Sequence, residues 1–195
     1  KNGFEDSKLM PWDFSYWSER YQEAEYSLSA EELKPYFQLE SCIDAVFGLA
    51  SRLYGISFQE LDNVPVYHED VKVYEVTEAD GTHLALFYAD FFPRASKRGG
   101  AWMTEFRGQS IKDGVERRPF ISTVMNFTKP TADAPALITH DELTTFLHEF
   151  GHALHGMFAQ GRYGSLTGTN VSRDFVELPS QIMENWAFEP EYLNS

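Results

Sequence analysis

Two stretches of the chain carry apolar residues at a helical period, and the text between them changes to a strand-like one. The stronger helical stretch runs from Thr139 to Gln160. Its stripe is Leu143, Phe146, Leu147, Phe150, Ala153, Leu154, Met157 and Phe158. Thr139 followed by Glu142 is a capping box that sets the start, Asp141 and Glu142 suit the positive end of the helix dipole, and Gly161 supplies a stop. The other stretch covers residues 38–54, with Leu39, Ile43, Val46, Phe47, Ala50 and Leu53 on one side and Gly55 as its stop. Ahead of it, residues 1–11 are polar and frayed. Trp12 to Leu28 gives a rougher helical stripe of Phe14, Trp17, Tyr21 and Ala24; Ser29 with Glu32 makes another capping box, and Pro35 interrupts.

Val71 to Glu78 is a β-branched and aromatic run, followed by Asp80-Gly81 and then Thr82 to Asp90. This reads as two strands joined by a D-G turn. Phe91 to Gly100, with Pro93 and two glycines, is a loop; Ala101 to Arg107 and Pro119 to Phe127 are a third and a fourth strand. Residues 128–138, with Pro130 and Pro135, lead into the long helix. Beyond it, Gly161, Gly164 and Gly168 mark a loop over 159–173, and a second helix covers 174–188 with Pro179 near its start. The order predicts an α+β fold, mostly helical. A helical segment over 12–55 precedes a sheet of three to four strands over 66–127 and a helix pair over 139–190, all parts of a single domain.

Composition narrows the partners. A chain of 195 residues with 43% hydrophobic content is one domain or a large piece of one. A formal net charge of −14 argues against nucleic acid and anionic membrane surfaces, and reads as a solvated surface. No apolar run reaches the ~18 residues of a membrane span. The single cysteine, Cys42, excludes an intrachain disulfide, favours a reducing, cytoplasmic compartment, and falls in an apolar helical pattern as a small core residue. No signal peptide is visible, but the chain opens on Lys1 rather than Met and reads as cut. Its oligomeric state is not legible.

The long helix carries the chemistry. His148-Glu149-Phe150-Gly151-His152 is an H-E-x-x-H pattern, rare by chance with six histidines in 195 residues. Four apart on a helix, His148 and His152 leave one face one turn apart, so both imidazoles can share one Zn²⁺ at about 2.0–2.1 Å. Glu149 projects beside them, placed to take a proton from a metal-activated water. A catalytic zinc needs a third protein ligand. The extended pattern H-E-x-x-H-x-x-G-x-x-H is excluded, because the corresponding positions are His155 and Phe158. The next helix offers Asp174, Glu177 and Glu184; spacing favours Glu177 and leaves the other two open, with N-terminal capping as the structural role for Asp174 and Glu177. His155 reads as packing or as support for the metal ligands.

At these residues the chain resembles the thimet-oligopeptidase family of zinc peptidases. The resemblance is carried by Pro135-Ala-Leu-Ile-Thr-His140 and by His148-Glu-Phe-Gly-His-Ala-Leu-His155. Gly168-Thr-Asn-Val-Ser-Arg-Asp174-Phe-Val-Glu177-Leu-Pro-Ser-Gln181 is similar to the bacterial peptidyl-dipeptidase branch, as are Pro11-Trp12-Asp13, Phe87-Tyr-Ala-Asp-Phe-Phe-Pro-Arg94 and Lys97-Arg-Gly-Gly-Ala-Trp102. It covers residues from about 11 to 190. The resemblance implies that His148, His152 and Glu177 bind one zinc, that Glu149 is the base, and that short peptides are the substrates, cut as C-terminal dipeptides or internally. It also implies a Gly-Ala strand, here Gly99 to Trp102, beside the substrate backbone, with a plain glycine turn as the other reading. Members of the family are several hundred residues long, mainly α-helical, zincin-like, and carry an oxyanion-stabilising Tyr and His segment further downstream. This chain is therefore expected to be a central piece that binds zinc, turns peptides over weakly or not at all, and exposes apolar patches.

Overall fold

A computed structural model describes residues 8–26 and 30–194. The alternation of β2 and β3 builds its centre. In β2 (Lys72–Thr77), Tyr74 and Val76 point to one face and Val73 to the other; in β3 (His83–Asp90), Ala85, Phe87 and Ala89 share the first face and Tyr88 the second. The sheet has five strands in the order β1-β2-β3-β7-β4, with β1 at Ser57–Glu60, β4 at Trp102–Arg107 and β7 at Phe120–Val124. Pairing is antiparallel throughout except that β7 runs parallel to β3. Inserting β7 between β3 and β4 leaves β4 at the sheet edge. A separate hairpin joins β5 (Ser110–Lys112) to β6 (Val115–Arg117).

The first face is covered by helices. Helix α3 (Leu39–Tyr54) buries Leu39, Cys42, Ile43, Val46, Leu49 and Ala50, and ends at Gly55. Helix α4 (His140–Met157) buries the predicted stripe from Leu143 to Met157, and the Thr139–Glu142 capping box is formed in both directions. Phe150 of α4 meets Phe87 of β3 at 5.7 Å between ring centroids, and Phe47 of α3 stacks on Phe58 of β1 at 4.1 Å. Burial of each such ring contributes about 1.5–3 kcal/mol, so α4 is held to the sheet by a side-chain row that also fixes its rotation. The opposite face carries a smaller cluster of Val71, Val73 and Tyr88. No helix among the described residues is long and apolar enough to cross a membrane.

The α+β order holds, with corrections. The sheet has five strands rather than three or four. The Asp80-Gly81 hairpin has a three-residue turn, because Glu78 N–H bonds the Thr82 carbonyl at 2.9 Å and Gly81 takes φ 85°. Asp113-Gly114 makes the two-residue turn, with φ 55° and 77°. Helix α4 ends at Met157, not at Gly161: Arg118 donates to the Met157 and Ala159 carbonyls at 2.7 and 3.1 Å and takes up the helix end. Leu53, expected inward on α3, is exposed. The early helix, α1 (Phe14–Tyr26), forms but has no buried residue; the exposed apolar surface expected from the sequence includes its Phe14, Tyr16, Tyr21 and Tyr26. A short helix, α2, spans Ala30–Leu33; Ser29 and the first seven residues lie outside the described residues, and so does their predicted behaviour.

Candidate metal centre

Proline shapes the segment after α4. Pro179 has no N–H and a fixed φ, so it is placed in the first turn of a helix, and α5 begins at Leu178 and runs to Glu184. The helix expected from residue 174 is therefore shorter. Asp174 lies in the turn before it, exposed, and Glu177 is its N-cap residue, with its carbonyl accepting from Gln181 N–H at 2.9 Å. The Glu177 side chain makes no capping bond, so the capping role weighed for it is not taken up.

Gly151, inside the H-E-x-x-H pattern, lets α5 come close. A Cβ on Gly151 would stand 2.5 Å from the Pro179 carbonyl oxygen and 2.6 Å from Ser180 Cα. This backbone-to-backbone approach brings Glu177 onto the histidine face of α4. Glu177 Oε2 lies 3.3 Å from His148 Nε2 and 3.1 Å from His152 Nε2. One ligand atom from each of the three residues falls within 4.8 Å of the others. For bonds of 2.0–2.1 Å, tetrahedral ligand atoms sit about 3.3 Å apart, so the donor set and its spacing fit one zinc ion.

The histidines differ in their surroundings. His148 Nδ1 meets Glu184 Oε1 at 2.6 Å, a contact that puts the ring proton on Nδ1 and leaves the Nε2 lone pair aimed at Glu177. Glu184, considered from spacing as a metal ligand, thus sits on the far nitrogen of His148 and outside the three-residue group. His152 is more enclosed; burial lowers its affinity for a proton, against the raising effect of Glu177, and favours the neutral imidazole that a metal requires. The Glu177 carboxyl is held below the ordinary range, first by the Ser180 hydroxyl bonded at 2.8 Å and then by His152 and His148. His155 lies outside the three-residue group and packs edge-on to Phe175 at 6.2 Å, with its proton affinity lowered by burial; of the two roles weighed for it, this contact is that of packing.

Glu149 is 8% exposed. Burial raises its pKa above the ordinary value; His148 and a backbone N–H of Met103 oppose the rise, and Glu177 adds to it. Met103 belongs to β4, so the edge of the sheet and the carboxylate of the pattern meet. The predicted Gly99–Trp102 strand begins only at Trp102, and Gly99 and Gly100 belong to the loop before it. Sequence reading missed the roles of Glu184, Ser180 and Met103. A signal existed for two of them: Ser180 and Glu184 follow Glu177 by three and seven residues, the spacing of one helix face.

Known proteins match nearly the whole chain. The dipeptidyl carboxypeptidase of Escherichia coli (strain K12) is 48% identical over 182 residues, which cover 93% of this chain and 26% of that protein. Oligopeptidase A of the same organism is 42% identical over 195 residues, 99% of this chain and 29% of its own length. The organellar oligopeptidase A of Arabidopsis thaliana is 42% identical over 198 residues, 98% of this chain and 25% of that protein. The chain thus spans between a quarter and a third of the length of these relatives. The sequence model of Peptidase family M3 matches residues 1–195 throughout, and the chain belongs to that family.

Proposed function

We propose that this chain carries the catalytic centre of a zinc-dependent peptidase that releases C-terminal dipeptides from short peptides. His148, His152 and Glu177 hold one zinc ion, Glu149 is the general base, and Glu184 orients His148. The observation that carries the reading is the convergence of both Nε2 atoms on Glu177 Oε2, at 3.3 and 3.1 Å, beside a buried Glu149. The unit is read as part of a single catalytic domain of a larger, mainly helical, zincin-like peptidase. What supports that is the relatives' length, of which the matched part is 26% and 29%.

Zinc, when bound, polarises a carbonyl oxygen and acidifies a water near neutral pH. The residues of the chain do the rest. Glu149 takes a proton from the attacking water as the new C–O bond forms, and returns it to the amine nitrogen as the C–N bond breaks. Positioned proton transfer of this kind accounts for about 10²–10⁴-fold in rate. Among the described residues β4 is an edge strand, and an extended peptide that pairs with it would be recognised by its backbone rather than by a particular sequence.

The test is zinc content and cleavage together. The protein should bind close to one zinc per chain, Glu177→Ala should lose it, and Glu149→Gln should keep it while removing the weak peptide hydrolysis expected of this chain. Zinc retained at parental affinity in Glu177→Ala would sink the ligand assignment. An endo-acting oligopeptidase is the second reading, favoured by the oligopeptidase A match over 99% of this chain. Amidating the peptide's C-terminus should block the dipeptidase and spare the endopeptidase.

A further inference from the structure

A cavity of about 640 Å³ lies on the sheet face away from α4. Its floor is Thr104 and Val124, and its walls include Tyr67, Trp102 and Phe106. Register places it: Trp102 pairs with Val124, which pairs with Asp90, and all three share the outer face by alternation. The cavity is within the size range of ligand sites and combines aromatic walls with a few polar groups.

Its charge is the opposite of the chain's. The protein carries 16 Lys and Arg against 30 Asp and Glu, yet Arg94, Lys97 and Arg98 fall within one short loop that rims the cavity. Two of the three are committed. Arg94 makes a two-pronged pair with Asp90, both bonds 2.9 Å, and lies over the Tyr67 ring. Lys97 is buried against Asp90 at 2.9 Å and against the Phe92 carbonyl at 2.7 Å. The Tyr67 hydroxyl completes the set at 3.0 Å from Asp90. Asp70, further out, acts on both cations and is itself paired with Lys129 at 2.7 Å. Arg98 differs from them: its carbonyl is held by Asn126 at 2.8 Å, and its exposed guanidinium has no partner among the described residues. The rim therefore presents one anchored but unneutralised cation.

We infer that this cavity is a specificity subsite of the peptide site, and that Arg98 receives a carboxylate of the bound peptide there. The inference rests on the peptidase reading above. The link is β4: it packs against α4, the helix that carries Glu149, and its Trp102 turns its side chain to the cavity side. A peptide extended along this edge alternates its side chains between the two faces of the sheet. Every second side chain then passes toward the cavity while the scissile bond stays at the histidine face. In a chain of net charge −14 an acidic group is otherwise repelled, so a local cation decides whether it is accepted. The carboxylate comes from an Asp or Glu side chain or from the peptide's free C-terminus.

The test uses zinc-loaded protein bearing Glu149→Gln, so that peptides bind without turnover. Affinities are compared for amidated peptides with Glu or Gln at successive positions, and for neutral peptides with free or amidated C-termini. One position is expected to favour the carboxylate by about fivefold, the scale of a partly exposed ion pair. Arg98→Ala should bring that ratio to about one, Arg98→Glu should invert it, and Arg98→Lys should restore much of it. If the Glu-for-Gln pair responds, the carboxylate is a side chain; if only the C-terminal pair responds, it is the terminus. A ratio unchanged by Arg98→Ala, no carboxylate preference at any position, or no peptide binding at all overturns the subsite. Zinc bound as tightly by Glu177→Ala as by the parent would sink the peptidase reading separately, since the affinity ratios are compared at fixed zinc loading and without turnover.

Discussion

The two faces of the sheet are held by different physics. The α4 face is an aromatic and aliphatic interlock, in which Phe87, Phe91, Phe146 and Phe150 are among the largest fully buried side chains. The outer face, at the ends of β3 and β7, is organised by one carboxylate: Asp90, 1% exposed, gathers Arg94, Lys97 and Tyr67. Apolar packing tolerates loss in proportion to volume, whereas a buried charge network fails when one member leaves its partners unpaired. The comparison teaches where each face is fragile. The helix face can lose a methylene and keep its shape, and the loop ahead of β4 cannot lose Asp90.

The largest effect should therefore come from Asp90→Ala. Stranding Lys97, whose side chain is 2% exposed, is expected to cost about 3–5 kcal/mol, read from denaturant unfolding. Burial alone would raise the Asp90 pKa, but Arg94, Lys97 and Tyr67 together hold it below its ordinary 3.8. The sign follows: this stabilisation is full above the unfolded value and is lost only as pH falls through the lower, folded one. Melting temperature in the parent should fall steeply with acid below about pH 4, and the slope should flatten in Asp90→Ala. An equally steep acid limb in the variant would show that other carboxylates set it.

On the helix face the next effect is local. Glu184→Ala removes the acceptor for His148 Nδ1 and should weaken zinc binding by about 10–100-fold, with unfolding in the metal-free protein little changed. Competition with a chelator measures it, and an unaltered affinity would reduce Glu184 to a surface residue. The smallest effect is expected at the helix start. Thr139→Ala deletes the hydroxyl that accepts from Glu142 N–H at 3.1 Å, for about 1 kcal/mol in unfolding free energy.

The helix face was also the more legible one. Periodicity found α3 and α4, and the capping box found the start of α4, because these signals are local. The strands that escaped were those with little apolar content: β1 offers only Phe58, and β5 and β6 are short, with Ile111 and Val115 exposed. They exist through pairing partners and, at Asp113-Gly114, through turn geometry. The end of α4 was misread because Arg118, far back in the chain, satisfies its last carbonyls. Spacing favoured Glu177 but left Asp174 and Glu184 open as third ligands; the start of α5 at Leu178 sets Glu177 against the histidines and Glu184 two turns on. The Asp90 network was not read at all, since Asp90, Arg94 and Lys97 look like surface charges until β3 places the first of them inside.

Gly151 has a consequence for anyone transplanting this centre into another scaffold. The three specified letters of the pattern would move two histidines and a glutamate, but a third donor arrives only if a neighbouring segment can press its main chain against the helix. A graft that copies the side chains and fills the glycine position with alanine would hold the right chemistry at the wrong separation. The empty place on the helix is as much a part of the recipe as the groups around it.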